Sequence, residues 1–429
     1  MIASQVNRRR ALALTAAVFA GALGLSGAAR AADDNVFKIW WYETPESSQA
    51  TAWNKALDTF KAKHPDVKIE FEQKSWDQIE KAGALMLNSG DVPDILEYNK
   101  GNAFAGLVAS QGLLTDLTGE ATKRGWDKLL SPSELALSRY DDRGIFGSGP
   151  IWGIPNYGEF VTVYYNKDMF AANGLQVPTT YDEFKKVMDA FVAKGITPIA
   201  EAAGDYPVVH LMGELELSQV NQQWVQDYQG LKKPFDGKPF LYAAQQMKEW
   251  MDKGYITKDV TGLKAPDMAQ LFESQKSPMV ITGTWYVGEF VKKNQFKWGQ
   301  FLFPGNTISQ ASTGNLWVVP KDSKHKDWAA EFIDITMSKD NQAILGNAGA
   351  VPVAADPAAI TDPVAQMMIQ GFTTLKDRDG LGFYPDWPTA GYYEVLLHSS
   401  QSLLSGQMTP DQFVEALRKP YDDAQAGAN

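Results

Sequence analysis

Residues 36–42 (VFKIWWY) form a nearly continuous apolar run, the pattern of a buried strand. A polar turn follows at residues 43–48, and Trp53, Leu57 and Phe60 then recur at helical spacing. Pro65 ends that helix, because the residue before a proline is pushed out of the α region. Val67, Ile69 and Phe71 alternate with charged residues, as in a half-buried strand. Residues 77–89 read as a second helix stopped by Gly90, and residues 93–98 (PDILEY) as a third strand. The order strand, helix, strand, helix, strand predicts a parallel sheet covered by helices. Further strands are expected at 160–165, 279–281 and 316–319. Further helices are expected at 181–194, 327–337, 364–375, 392–404 and 410–417. No internal repeat or low-complexity linker interrupts the pattern.

The start of the chain departs from this pattern. Asn7-Arg8-Arg9-Arg10 is basic, residues 11–27 are uncharged and rich in Ala, Leu and Gly, and Ala29-Arg30-Ala31 is a small-residue cleavage site. These three parts are those of a secretory signal peptide cut after Ala31. The apolar run has only 17 residues and contains Gly21, Gly24 and Gly27, short for a span of about 20. The consecutive arginines hint at the twin-arginine export route. The chain has no cysteine, so neither a lipid anchor on a new N-terminal Cys nor a disulfide can form. A freely diffusing periplasmic protein is the expectation.

Removing the first 31 of the 429 residues leaves 398, a length for two domains. The removed segment holds four arginines and no acid, so the remainder carries 36 basic residues against 51 acidic ones, a charge of −15. Nucleic acid is therefore not an expected partner, since phosphate binding needs a basic patch. Thirteen Trp, 16 Tyr and 21 Phe make the chain aromatic-rich, and most of these rings are expected to pack the core. Part of this aromatic surface could line a cleft, where a flat apolar face with a polar tip suits a pyranose ring.

Enzyme chemistry finds little purchase. Thiol nucleophiles are absent, and His64, His210, His325 and His398 are too scattered for a metal-ligand spacing. There is no G-x-S-x-G elbow and no phosphate-cradling glycine loop. No cofactor, metal or catalytic residue is expected. A glycosidase needs only two carboxylates in a cleft, and acids are abundant, so that alternative stays open.

Several segments resemble one family. Ser89-Gly90-Asp91-Val92-Pro93-Asp94-Ile95 precedes a strand. Ile151-Trp152-Gly153-Ile154-Pro155 is followed by Val163-Tyr164-Tyr165-Asn166-Lys167-Asp168-Met169-Phe170, and then by Gly174-Leu175, Pro178 and residues 179–184 (TTYDEF). Residues 279–285 (MVITGTW) and 403–410 (LLSGQMTP) complete the set. In this order they resemble the extracellular solute-binding proteins of carbohydrate ABC importers, the group that includes maltose-binding protein. The resemblance implies a two-lobed α/β periplasmic-binding-protein fold. Each lobe would be a mostly parallel sheet flanked by helices, with the ligand in the cleft between them. It places chain crossings near 155–159, 313–316 and 346–350. Lobe 1 would then hold residues 32–156 and 316–346, and lobe 2 residues 157–315 and 347–429.

The implied function is delivery of a mono- to oligosaccharide to the membrane permease subunits of an ABC importer, by a monomer without catalysis. A polyol, a glycerol phosphate or a sulfonated sugar is the alternative ligand on the same fold. An anion would need a buried arginine, for which Arg378 is the one candidate. A buried sugar needs a partner for nearly every hydroxyl, and ligands of open α/β sheets sit beyond the carboxyl ends of strands. Candidate contacts are therefore Glu43 after the first strand, Asn99 and Lys100 after PDILEY, and Tyr157 and Glu159 at the first crossing. Asp205 and Tyr206 follow residues 198–200, and Gly314 and Asn315 mark the second crossing. Gly283 and Thr284 would let a ligand approach the backbone, and Trp285 would stack on a ring. Asp386, Trp387 and Tyr392 lie in a late aromatic segment. There the family stacks aromatics at positions matching Tyr392 and Tyr393, with Tyr here in place of the Trp of maltose-binding protein.

Overall fold

The computed structural model describes residues 35–257 and 259–428. The expected signal peptide, residues 1–31, lies outside the described residues. Among these, no helix is long and apolar enough to cross a membrane.

Among the described residues thirteen strands form three sheets: β1 (Val36–Trp41), β2 (Lys68–Gln73), β3 (Ile95–Tyr98), β4 (Arg139–Tyr140), β5 (Phe146–Ile151), β6 (Gly153–Pro155), β7 (Tyr157–Asn166), β8 (Ile199–Ala200), β9 (Met279–Gly283), β10 (Trp298–Phe301), β11 (Ala311–Thr313), β12 (Leu316–Val318) and β13 (Val351–Pro352). The first sheet runs β2-β1-β3-β12-β6. Its β1–β2 and β1–β3 pairs are parallel, as the βαβαβ pattern predicts, with helices Ser48–Lys63 and Trp76–Leu87 as crossovers. The first helix starts because Ser47 turns its hydroxyl onto the Ala50 N–H at 3.0 Å. The second starts in a capping box made by Ser75 and Gln78. Phe37, Ile39, Trp53, Phe60, Trp317 and Phe332 pack the core between sheet and helices.

The second sheet runs β10-β7-β9-β8, with β11 and β13 also on β7. Here the expectation of mostly parallel pairing needs correction. Only β8–β9 is parallel; β9, β10, β11 and β13 all run antiparallel to β7. In the first sheet β12 is likewise antiparallel to both β3 and β6. The cause is the connectivity. Strands β6 and β7 are one extended run broken at Asn156, so no crossover helix reorients β7. Strands β11 and β12 are a second such run, broken at Gly314 and Asn315. The two runs pass between the sheets in opposite directions, so β11 is antiparallel to β7 and β12 to β6.

The chain passes between the two sheets at Asn156, at Gly314–Asn315, and again between Asn347 and Val351. Asn156 is anchored there: its side-chain amide donates to Thr336 Oγ1 at 3.2 Å, and its carbonyl accepts from Gln342 Nε2 at 2.7 Å. Helices Pro207–Leu217, Lys238–Lys253 and Ala265–Glu273 were not among the expected ones, although the second and third carry an apolar face at helical spacing. Pro207–Leu217 is buried all round, so it has no polar face to reveal its period.

Candidate functional site

Four strand ends meet where the sheets adjoin. β1 delivers Glu43, β3 delivers Glu97 and Lys100, the β6–β7 run delivers Tyr157 and Glu159, and the β11–β12 run delivers Gly314 and Asn315. All these polar side chains are buried. Lys100 Nζ donates to Glu159 Oε1 and reaches Asn315 Oδ1 at 3.4 Å. Asn315 Nδ2 donates to the Tyr157 hydroxyl at 2.8 Å and lies 3.2 Å from Glu43 Oε1. The Tyr157 hydroxyl donates to the same Glu43 oxygen at 3.0 Å. The Tyr42 N–H donates to Glu97 Oε2 at 3.3 Å, while Glu97 Oε1 is buried with no hydrogen-bond partner.

Burial dominates the electrostatics. It pushes the Glu43 carboxyl up to about 7, helped by Glu159 and opposed by Tyr157 and Lys100. It lifts Glu97 well above the usual carboxylate range, with Glu43 adding to the rise. Asp386, also buried, is raised to about 6 by desolvation, with Lys100 opposing.

Gly314 is required by this arrangement. A Cβ there would lie 2.1 Å from Cε2 of Tyr157, whose ring is held through its hydroxyl by Glu43 and Asn315. Gly314→Ala is therefore expected to cost about 1–3 kcal/mol through overpacking. An unchanged chemical denaturation midpoint would contradict it.

A wall of rings rises beside the polar floor. Lys100 Nζ sits 5.3 Å from the Tyr384 ring and 5.5 Å from the Trp387 ring. His210 lies 5.6 Å from Tyr384, 5.2 Å from Trp285 and 5.1 Å from Tyr206. Tyr206 is 5.8 Å from Trp76, which makes an edge contact with Tyr393 at 4.9 Å. Trp76 belongs to the first-sheet side and the other rings to the second. Burial pushes His210 down to about 3, so its imidazole is neutral at any ordinary pH.

The predicted residues divide clearly. Glu43, Lys100, Tyr157, Glu159, Gly314 and Asn315 share one network, and Tyr206, Trp285 and Trp387 stand in or beside the wall. The Trp285 ring folds over Gly283, where a Cβ would lie 2.0 Å from it. Thr284 is buried at the start of the short turn Thr284–Tyr286. Asn99 bends the chain locally: its Oδ1 accepts the Lys100 N–H at 3.0 Å and its carbonyl accepts the Ala105 N–H at 3.1 Å. Asp205 accepts the Ala265 N–H at 2.9 Å and so orders the start of a helix. Trp387 packs on Gly101, and its carbonyl accepts the Ala103 N–H at 3.0 Å.

Tyr392 is not brought to the wall. It is fully buried and donates to the Leu417 carbonyl at 3.2 Å. Its neighbour Tyr393, about 100° around the helix, meets Trp76 instead. Arg378 is exposed at the end of helix Pro363–Asp377 and offers no buried cation for an anion.

Sequence reading missed Glu97, His210, Tyr384 and Trp76. An acid between the apolar Ile95-Leu96 and Tyr98 of a buried strand was the available signal for Glu97. His210 had the matching one, as a polar residue in an all-apolar stretch.

The arrangement can bind a ligand rich in hydroxyls. It presents carboxylates, an ammonium, amides and ring faces, and no activated nucleophile. A probable sugar-binding periplasmic protein of Rhizobium meliloti (strain 1021) is 24% identical over 339 residues, covering 73% of this chain and 74% of its own. A solved chitin oligosaccharide binding protein superposes with a TM-score of 0.77 at 24% identity, covering 91% of this chain and 99% of the other. A solute-binding protein, RafE, in complex with raffinose gives 0.72 at 17% identity, with 91% and 99% covered. These likenesses share the two-domain α/β architecture. The family model for bacterial extracellular solute-binding proteins matches residues 44–343, and the chain belongs to that family.

Proposed function

We propose that this chain is the sugar receptor of an ABC importer, closing two lobes around a neutral mono- to oligosaccharide and handing it to the permease subunits. The lobes are residues 32–156 with 316–346, and 157–315 with 347–429. The observation that carries the reading is the junction of a fully buried polar floor with an aromatic wall drawn from both sides. Sugar hydroxyls need acceptors and donors, which Glu43, Asn315 and Lys100 supply; pyranose faces need rings, which Trp285, Tyr206 and Trp76 supply. The names of the relatives, sugar-binding and oligosaccharide-binding, point the same way. No finding favours the glycosidase alternative, and no turnover of aryl glycosides is expected.

A thermal-shift panel of neutral sugars on the exported protein tests the reading, because a ligand of the native state raises the melting temperature. At least one sugar is expected to do so and also to lower the radius of gyration in small-angle scattering, since a ligand touching both lobes favours the closed form. A panel with no hit would overturn the sugar assignment. Binding at an unchanged radius would overturn closure. The basic, apolar and small-residue sequence of the first 31 residues supports export to the periplasm, so the exported protein is expected to begin near Ala32. Retention of Met1 would contradict that export route.

A further inference from the structure

The charges on the cleft floor do not balance. Glu43, Glu97 and Glu159 supply three carboxyls, and Lys100 is the single ammonium among them. They are 8%, 1%, 4% and 2% exposed, so water screens none of them. Lys100 is already committed to Glu159. Glu43 is left facing neutral donors, the Tyr157 hydroxyl and the Asn315 amide. Glu97 is left facing one backbone N–H, with its second oxygen unpartnered. Two uncompensated carboxylates side by side in a dry site are too costly to keep ionised, and such groups take up protons instead.

The cover over this cluster comes from the other side of the cleft. Tyr384 and Trp387 lie over Lys100. Trp387 is tied across by the Ala103 N–H, and Asn102 Nδ2 donates across to the carbonyls of Gln229 at 2.8 Å and Pro388 at 3.3 Å. Parting the two sides breaks these ties and lets water reach the carboxyls, which can then ionise.

From this geometry we infer that closing of the cleft takes up a proton held by the Glu43–Glu97 pair, so that the proton acts as a co-ligand of the receptor. The inference rests on the two-lobe reading but not on the identity of the ligand. Glu159 and the other member of the pair raise each carboxyl's affinity for the proton, Lys100, Tyr157, Asn315 and the Tyr42 N–H lower it, and the Tyr206 hydroxyl also faces Glu43.

The sign follows from linkage. A carboxyl that binds its proton more tightly closed than open makes closing favourable at low pH. That advantage is complete below the ordinary value of 4.5 and is lost as pH rises; for Glu43 the loss runs to about 7, and Glu97, raised well above its ordinary value by burial, loses its share in the same direction. Within the window each pH unit moves the closing equilibrium by up to about tenfold per proton.

The test uses the exported protein without any sugar. Small-angle scattering from about pH 5 to about pH 8.5 is expected to show the radius of gyration rising with pH. Glu97→Gln, a neutral isostere of the protonated acid, is expected to hold the smaller radius at the alkaline end. Infrared difference spectra of the unmutated protein are expected to show a protonated-carboxyl band that fades over the same range. A radius independent of pH, or a band missing at the acidic end, overturns the inference. So does a Glu97→Gln protein that opens with pH as the parent does. If that variant does not fold, Glu43→Gln takes its place, and the infrared measurement stands without either. Because no sugar is present, failure here leaves the sugar assignment standing, and an empty sugar panel leaves these curves unchanged.

Discussion

Replacing Lys100 by methionine is expected to cost about 3–5 kcal/mol of stability at pH 8, the range for breaking a buried ion pair by removing one partner. The physical reason is what remains. Without the ammonium, Glu159 joins Glu43 and Glu97 as a third buried carboxyl, and none of them has a cation within the network. Methionine fills most of the volume of the lysine stem, so the loss is electrostatic rather than a cavity. Pairing Lys100→Met with Glu159→Gln should recover most of the loss, since removing both members of a buried pair is often near neutral. Urea denaturation of the two single variants and the double variant measures this directly. Additive losses in the double variant would show that the pair is not the cause.

The second large effect is expected at Trp285. Its ring is half-buried over Gly283, 6.2 Å from Tyr206 and 5.2 Å from His210, with part of its surface left free. A ring so placed can stack on the apolar face of a sugar, which contributes about 1 kcal/mol or more beyond the buried area. Trp285→Ala should weaken sugar binding at least about tenfold, since about 1.4 kcal/mol is a factor of ten. Trp285→Phe should keep part of the affinity. The fold should survive both changes, because the indole is not in the fully buried core. Calorimetric titration with a sugar that raises the melting temperature of the parent protein provides the readout. An affinity unchanged in Trp285→Ala would remove the stacking role.

Together the two residues separate the tasks of the site. Lys100 balances charge on a floor shared by four strand ends, and its removal is felt even without ligand. Trp285 works on the ligand, and its removal is felt mainly in binding. Glu43 stands between these roles, since its carboxyl accepts from protein donors and is also raised to about 7.

Periodicity determined the elements. The run at 36–42, the Trp53–Leu57–Phe60 stripe and the alternation at 67–71 each express a local geometry, so each was readable where it stands. β1, β2, β3 and their crossover helices accordingly fall where the pattern puts them, and strand ends mark Glu43 and Lys100 as candidates before any packing is known. The direction of pairing around β7 was not readable, because it depends on where distant segments return. β11 and β12 belong to different sheets although only Gly314, packed against the Tyr157 ring, and Asn315 separate them. Nor could sequence choose between Tyr392 and Tyr393. Adjacent helical positions point about 100° apart, and only the packing of the closing helices sends Tyr392 toward Leu417 and Tyr393 toward Trp76. The excess of carboxyls over ammonium on the cleft floor is likewise a tertiary fact. Glu43, Glu97, Lys100 and Glu159 lie on three separate strand ends, and only folding strips their water and makes one charge answer for three.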